Sequence, residues 1–262
     1  TMEDYFALGK RVVRDDNGDG KPDQWLVPNA SYIFNMIFYS DTIRYFDAAG
    51  KPALDRPLVH LAMRWAKKFR DASYDAQIGD WSNEWYAMLR EGRLAYFPMG
   101  TWLTGHLRDW IAPKEAGKFR VAELPALEAG KSRMNISWGG SFLAITRQST
   151  KRDLAWEFVK YVATTVRGQM VSFHKADVFP SWMPAWEDKA FGEGMPYMGG
   201  QKARELWINL ARDIPPVQTW EKDNVANTIL MDALTSVLDG KLGIAQALRE
   251  AQASLENKMR IR

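Results

Sequence analysis

An acidic loop near the start of the sequence has the residue spacing of a calcium-binding loop. Oxygen-bearing side chains fall at alternate positions, a glycine allows a sharp turn, and a backbone carbonyl and a further acid follow. The ligand set that this spacing predicts is Asp15, Asn17, Asp19, the Lys21 carbonyl and Asp23. Leu26 stands where a bidentate Glu normally completes the shell, although Gln24 could supply one oxygen. Structural Ca²⁺ and an unmetallated Asx/Gly turn therefore both stay open.

The motifs of common enzyme classes are absent. The sequence has no G-x-G-x-x-G, no P-loop and no H-E-x-x-H, and its zero cysteines exclude disulfides, thiolate metal sites and cysteine nucleophiles. His60, His106 and His174 lie far apart without metal-ligand spacing, which predicts surface or capping groups. We therefore expect no catalytic residues and no required cofactor.

Two pairs of acids could nevertheless share a helix face. Asp80 with Glu84, and Asp153 with Glu157, are each separated by four residues. Such pairs on a surface helix are usually solvated, but their spacing alone leaves a glycosidase with paired carboxylates open.

Length and composition are those of an ordinary globular protein. At 262 residues the chain exceeds the common domain size of about 100–150 residues, which predicts one large domain or two lobes. The 35 basic and 32 acidic side chains are scattered and leave a net charge of +3, which argues against nucleic-acid binding. No stretch reaches the roughly 18 consecutive apolar residues of a spanning helix. Twelve Trp, twelve Phe and nine Tyr suit a site that stacks on sugar rings, although most of them must lie in the core.

Hydrophobic periodicity predicts an α/β protein in which helices and strands alternate. Helices are predicted over residues 2–13, 32–39, 57–69, 82–91, 101–110, 152–164, 202–212, 223–238 and 242–259. Strands are predicted over residues 25–27, 94–99, 119–124 and 138–146, with a hairpin over 45–52. In the helix over 152–164, we expect Leu154, Phe158 and Val162 to point inward.

The order of several short motifs resembles the sugar-binding extracellular solute-binding proteins of ABC transporters, the class of maltose-binding protein. Residues 1–5 resemble a T-W-E-E/D stretch of that family, residues 45–52 its F-D-x-x-G-K hairpin, and residues 89–102 its F-x-x-G-x-x-A-M-x-x-x-G-x-W signature. Further matches follow in the family's order at residues 121–125, 138–140, 155–161 and 238–248. Each match is weak alone, but seven in register are specific.

The resemblance implies a type II periplasmic-binding-protein-like fold of two lobes that close on a ligand. Residues 1–137 then form the first part of the C-lobe, residues 138–180 an N-lobe segment with hinge crossings at both ends, and residues 181–262 the second part of the C-lobe. The N-terminal part of the first lobe, with any signal or membrane anchor, is expected to precede this chain. The implied location is periplasmic or extracellular, and the implied state is a monomer.

Ligand contacts carry over from the family only where its motifs match. These positions are Tyr32, Trp81, Trp102, Trp138, Gly139, Gly140 and Trp182. Glycines without a Cβ allow the backbone to approach a ligand, which is the role expected of Gly139 and Gly140. At Met99-Gly100-Thr101 the sequence departs from the family's common N-G-P/S-W spelling, which puts the local backbone in doubt.

The function that the resemblance implies is reversible, non-catalytic binding of a sugar or oligosaccharide and its delivery to an ABC permease. A binding protein for a non-sugar solute is the alternative. A glycerophosphodiester would require clustered arginines in the site, and a polyamine would require acids. A carbohydrate-active hydrolase is the third hypothesis, and it would require a facing acid pair.

Overall fold

The computed structural model describes residues 1–137 and 139–260. Ten α-helices lie in these ranges, most of them close to their predicted positions. They are α1 (Met2–Val12), α2 (Ser31–Phe38), α3 (Pro57–Asp71), α4 (Asn83–Glu91), α5 (Leu103–His106), α6 (Arg152–Thr164), α7 (Val166–Ala176), α8 (Ala203–Arg212), α9 (Asp223–Leu238) and α10 (Ile244–Arg260). None of them is long and apolar enough to cross a membrane.

Local capping chemistry explains where several helices begin and end. Thr1 Oγ1 accepts a hydrogen bond from the Asp4 backbone N–H at 3.2 Å, and the Asp4 carboxylate accepts from Thr1, which forms a capping box. Ser82 caps α4 through the Trp85 N–H at 3.1 Å, and Gly92 ends that helix with a φ of +69°. The predicted helix over 101–110 is divided, because α5 passes into a π-helical turn, Leu107–Ile111.

The predicted strands form only short paired segments among the described residues. Residues 25–27 pair in parallel with residues 93–96, through Trp25 N–H to Arg93 O at 2.9 Å and Tyr96 N–H to Leu26 O at 2.9 Å. The hairpin over 45–52 is confirmed by an antiparallel pair of Phe46 and Pro52.

Two of the predicted strands are wrong in the residues that the structure describes. In the segment over 119–124, the Gln201 side chain takes the place of a neighbouring strand, donating to Val121 O at 2.7 Å and accepting from Val121 N–H at 2.8 Å. Residues 139–146 pair with no other described segment, and Phe142 and Leu143 are exposed. The first residue of that prediction, Trp138, lies outside the described residues.

The chain divides into two compact units. Unit 1 comprises Thr1–Pro98, Glu123–Ile136 and Ile214–Arg262, and unit 2 comprises Met99–Ala122 and Ser137–Asp213. These boundaries separate the two parts of this chain that are each compact by themselves. The assignment of residues 1–137, 138–180 and 181–262 to lobes concerns the longer proteins and stays a prediction.

Unit 1 has an apolar core between helices α2, α3, α9 and α10. A buried ion pair fixes one end of this core. Arg70 Nη2 lies 2.9 Å from the Asp75 carboxylate, which also accepts from the Ala30 N–H at 2.9 Å. Asp75 therefore ties the start of α2 to the end of α3.

Unit 2 has a smaller core, and a buried carboxylate links its helices. Asp177 follows α7 and lies 3.3 Å from Arg108 Nη1 and 3.1 Å from Arg204 Nη2. The inward orientation predicted for α6 is wrong at two positions, since Leu154 is 69% exposed and Phe158 is 64% exposed. Helix α6 packs on α7, and no other described element covers the face that carries these two side chains.

Candidate functional site

The candidate site in unit 1 lies where three parallel segments end. Residues 25–28 are flanked by residues 93–96 on one side and by residues 74–78 on the other, where Ala76 N–H donates to Val27 O at 3.1 Å. In α/β proteins, ligands bind outside the carboxyl ends of such segments. The chain leaving the first segment begins α2 at Ser31, and the chain leaving the third carries Asp80 and Trp81.

Tyr32 and Asp80 meet at this edge. Tyr32 is buried, and its hydroxyl donates a short hydrogen bond to the Asp80 carboxylate. Loss of hydration raises the pKa of the Asp80 carboxyl, while the hydrogen bond from Tyr32 partly offsets the rise. The predicted contact residue Tyr32 therefore acts in this structure as the partner that orients a neighbouring acid.

Sequence reasoning missed Asp80 as a site residue, because it treated the acid as one of a solvated pair on a helix. Helix α4 begins only at Asn83, so Asp80 lies in the preceding loop and does not share a helix face with Glu84. A signal was available in the sequence, since Ser82 is a strong helix cap and places the two residues before it outside the helix.

Trp81 is the exposed aromatic residue of this edge. Its side chain is 46% exposed, and its φ of +63° is in the left-handed region, which costs a non-glycine residue about 1–3 kcal/mol. Such strain is common at ligand sites, because the surrounding structure must hold it in place. The Trp81 ring contacts the rings of Trp85, at 5.3 Å between centroids, and Tyr86, at 6.4 Å.

A cavity of about 420 Å³ opens in the same unit and uses residues of the same edge. Its lining combines carboxamides, hydroxyls, one guanidinium and one carboxylate with an apolar wall from α9. The lining residues are Asn29, Ser31, Arg70, Gln77, Met231, Leu234, Thr235, Leu238 and Asp239. Gln77, like Trp81, has a left-handed backbone, with a φ of +58°. Polar groups on an apolar wall are typical of small-molecule sites.

Trp102 lies in unit 2, immediately before α5, and is half-buried. Its indole covers Gly100, where any Cβ would overlap the indole Nε1. A side chain at position 100 would therefore force the Trp102 ring to move.

Three further predicted contacts of unit 2, Gly139, Gly140 and Trp182, lie in exposed segments. Gly139 has a φ of +93°, which requires glycine, but no group lies within 4 Å of a Cβ built at Gly139 or Gly140. Their predicted backbone contact with a ligand stays a prediction, and Trp138 lies outside the described residues. Trp182 is partly exposed, and the Gln169 side chain holds the segment before it by accepting from Ser181 N–H at 2.9 Å.

The acidic loop directs its side-chain oxygens to its own backbone. Asp15 accepts from Gly18 N–H at 2.6 Å and from Gly20 N–H at 2.8 Å, and these bonds, that from Gly20 foremost, lower its pKa. Asp23 accepts from the Asp16 N–H at 2.9 Å. No group of three or more His, Cys, Asp or Glu side chains in the described ranges is arranged to hold a metal ion.

Part of this loop has the geometry of Asx turns, in which a side-chain oxygen accepts from the backbone N–H two residues on. The twelfth position, Leu26, is buried and offers no side-chain oxygen. Of the predicted ligands, Asn17 and Asp19 also accept from backbone N–H groups two residues on, each at 2.8 Å. The calcium prediction stays untested.

Solved structures of binding proteins resemble this chain over almost its whole length. They include the maltose/maltodextrin-binding domain MalE from Bdellovibrio bacteriovorus bound to maltotriose, with 20% identity, a TM-score of 0.76, and coverage of 98% of this chain and 66% of that one. Another is the ABC transporter associated binding protein from B. animalis subsp. lactis in complex with β-1,6-galactobiose, with 24% identity, a TM-score of 0.77, and coverage of 97% and 65%.

A third is the GacH receptor of Streptomyces glaucescens, solved unliganded and with acarbose, with 17% identity, a TM-score of 0.71, and coverage of 98% and 63%. At these identities the likeness shows the fold alone, and this chain spans less than two thirds of the length of each relative. No curated protein matches the sequence.

The model of one protein family matches residues 1–181, which include the acidic loop, Tyr32, Asp80, Trp81 and Trp102. That family is described as bacterial extracellular solute-binding protein. The match covers more than half of the chain and agrees with the fold of the three related structures, so the chain belongs to the bacterial extracellular solute-binding proteins.

Proposed function

We propose that the protein binds a sugar or oligosaccharide without converting it and delivers it to the membrane permease of an ABC importer. The observation that carries the proposal is the exposed indole of Trp81 beside the oriented carboxylate of Asp80. An indole face packs against the C–H face of a sugar ring, and a carboxylate accepts hydrogen bonds from hydroxyl groups. Because the Tyr32 hydroxyl already holds the Asp80 carboxylate in place, ligand binding does not have to immobilise that side chain.

The family and the ligands of the related structures support this proposal. Maltotriose, β-1,6-galactobiose and acarbose are all carbohydrates, and the family is extracellular. Because the family is extracellular, we propose a periplasmic or extracellular location for this protein. We also propose that its partner is a membrane permease and that it acts as a monomer. In the same proposal, residues 1–137 and 181–262 belong to a C-lobe and residues 138–180 to an N-lobe.

Further contacts are proposed at the aromatic and glycine positions of unit 2. Trp102 and Trp182 have partly accessible indoles, and Gly139 and Gly140 are open to the approach of a ligand. Trp138 completes the set by its place in the sequence beside these glycines.

A polyamine is the second candidate ligand, and one observation favours it. An acid beside an exposed indole also suits an ammonium group, through an ion pair and a cation–π contact. A glycerophosphodiester has less support, because Arg70 in the cavity is already paired with Asp75. A hydrolase would require a second carboxylate facing Asp80, whereas the partner observed there is the Tyr32 hydroxyl.

A thermal-shift screen separates these candidates. The protein is heated with a panel of mono- and oligosaccharides, spermidine, putrescine and glycerophosphocholine, and the sugars are afterwards analysed for cleavage. A ligand of the folded state raises the melting temperature by mass action. We expect a rise with at least one sugar and no cleavage product. A rise with polyamines alone would contradict the sugar proposal, and cleavage would contradict the non-catalytic one.

A further inference from the structure

Left-handed backbone conformations single out one residue of the candidate cavity. In the described ranges, four residues other than glycine have a positive φ, namely Ser73, Gln77, Trp81 and Asp177. Ser73 and Asp177 follow the ends of α3 and α7, where a left-handed residue is a usual way to end a helix. Gln77 and Trp81 follow no helix end and lie in the loop at the edge of the candidate site. Helix termination therefore does not explain their conformations.

Backbone pairing on both sides holds Gln77 in this conformation. Ala76 N–H donates to Val27 O at 3.1 Å, and Ile78 N–H donates to Pro28 O at 3.1 Å. Between these two bonds one chain segment advances by two residues and the other by one, which is the residue count of a β-bulge. Bulges are common beside functional sites, where they redirect a side chain. Because glycine adopts a left-handed backbone without strain, a glycine at position 77 would form the same bulge more easily.

The side chain of Gln77 lies at the cavity and supports no other part of the fold. Gln77 is exposed and lines the cavity of about 420 Å³ together with Asn29 and Ser31 at the start of α2 and the apolar wall from α9. Among the residues that the structure describes, none forms a hydrogen bond with the Gln77 carboxamide. The loop is anchored instead by its buried residues Asp75 and Ile78. The chain thus keeps a long polar side chain at a strained position where the fold does not use it.

The charged side chains of the cavity lining are already paired within the protein. Arg70 lies 2.9 Å from Asp75, and Asp239 lies 2.8 Å from Lys241. A carboxamide has donor N–H groups and an acceptor oxygen, so it can both donate to and accept from hydroxyl groups, whereas an ammonium group can only donate. The unpaired carboxamide of Gln77 therefore suits the hydroxyl groups of a neutral ligand better than it suits a charged group.

We propose that the Gln77 carboxamide is a ligand contact that determines specificity, because it forms hydrogen bonds with a hydroxyl group of a neutral ligand in the cavity. The inference rests on the proposed sugar binding and adds to it a residue that selects among ligands. The left-handed conformation at position 77 directs a long polar side chain into the cavity. Glycine fits this backbone better but supplies no such group.

Substitutions that separate the effect of the side chain from that of the backbone test the inference. Gln77→Gly removes the carboxamide and relieves the backbone, whereas Gln77→Ala removes the carboxamide and keeps the strained conformation. Ser73→Gly is the matched control, because Ser73 has the same backbone conformation and is exposed but does not line the cavity. Thermal unfolding measures stability. Calorimetric titration measures affinity for glucose, maltotriose, β-1,6-galactobiose, spermidine and glycerophosphocholine.

We expect both glycine variants to gain stability and only one of them to lose affinity. Gln77→Gly and Ser73→Gly should each raise the melting temperature by about 1–3 °C. Gln77→Gly and Gln77→Ala should weaken sugar binding about three- to tenfold, the range for one lost hydrogen bond, and Ser73→Gly should leave it unchanged. In the wild type, the side-chain amide NMR signals of Gln77 should shift when the sugar is added.

The outcomes distinguish this inference from the proposed function. Unchanged sugar affinity in Gln77→Gly, or a Gln77→Gly protein that is less stable than the wild type, overturns the role of Gln77 and leaves the proposed function intact. If the wild type binds no sugar, or binds spermidine or glycerophosphocholine in its place, the proposed function is contradicted and so is the neutral ligand inferred for Gln77.

Discussion

The indole rings of Trp81 and Trp85 lie 5.3 Å apart, yet the first is 46% exposed and the second is wholly buried. Ser82 separates their environments, because it caps α4 by accepting from the Trp85 N–H and donates to the Gly79 carbonyl oxygen at 3.0 Å. Trp85 therefore begins a helix that faces the core. Trp81 stays in the loop with a left-handed backbone and presents its ring to solvent.

This contrast predicts opposite effects of two neighbouring substitutions. Trp81→Ala should weaken sugar binding by about 1 kcal/mol, the size of one aromatic contact, and change stability little. Trp85→Ala should cost about 3–5 kcal/mol of unfolding free energy, because it leaves a cavity in the core. Denaturant unfolding and calorimetric titration of both variants measure the two effects. A Trp81→Ala protein that binds normally would remove Trp81 from the site.

The burial of Asp80 beside Tyr32 predicts a pH dependence with a definite sign. Because the pKa of Asp80 is raised in the folded protein, its contribution to stability is largest below pH 3.8 and falls as the pH rises through the folded value. Asp80→Asn should remove this part of the dependence. Tyr32→Phe removes the bond that lowers the pKa, so the Asp80 pKa should rise further, as measured by NMR titration of the carboxyl carbon. An Asp80 pKa below 3.8 in the wild type would contradict the assignment.

The buried ion pair of unit 1 predicts that replacing Asp75 destabilises the protein much more than replacing the nearby Asp71. Asp75→Ala leaves Arg70 and the start of α2 without their partner, which should cost about 3–5 kcal/mol. The control is Asp71→Ala, which removes an exposed pair with Lys67 on the surface of α3 and should cost about 0.3–0.5 kcal/mol. Urea unfolding compares the two. Equal losses of unfolding free energy would contradict the larger contribution expected of the buried Asp75.

Calcium binding by the acidic loop remains a prediction with a direct test. If the loop binds Ca²⁺, the oxygens of Asp15, Asn17, Asp19 and Asp23 and the Lys21 carbonyl should converge to about 2.3–2.6 Å from the ion. Chelator should then lower the melting temperature, and Asp15→Asn should abolish that effect. An unchanged melting temperature with chelator, together with no bound ion at saturating calcium, would leave only the Asx-turn geometry.

The helices were largely predictable from the sequence because their signals are local. The spacing of apolar residues and the caps at Thr1, Ser82 and Gly92 place most helix ends within a few residues. The strands were harder to predict, because pairing depends on a distant partner. At Val121 that partner is a glutamine side chain rather than a strand, which no local pattern indicates.

The candidate site could be predicted only in part for the same reason. The family motifs predict Trp81 and Trp102 as contacts; Trp81 is exposed and Trp102 is half-buried, and their contact with a ligand stays a prediction. Asp80 is missed because pairing it with Glu84 assumes a helix that begins only after it, and because its actual partner Tyr32 stands 48 residues away in the sequence. The outward face of α6 was mispredicted because periodicity reports which face is apolar, and it does not report whether another element covers that face.

Sugar binding by this chain is tested most directly by calorimetric titration of a mono- and oligosaccharide panel into the wild type and into Trp81→Ala, followed by analysis of the sugars for cleavage. The account predicts saturable binding of one sugar per protein by the wild type, weakening of about fivefold or more in Trp81→Ala, and recovery of the sugar unchanged. The absence of binding to every sugar of the panel, equal affinity in the two proteins, or cleavage of the ligand would contradict it.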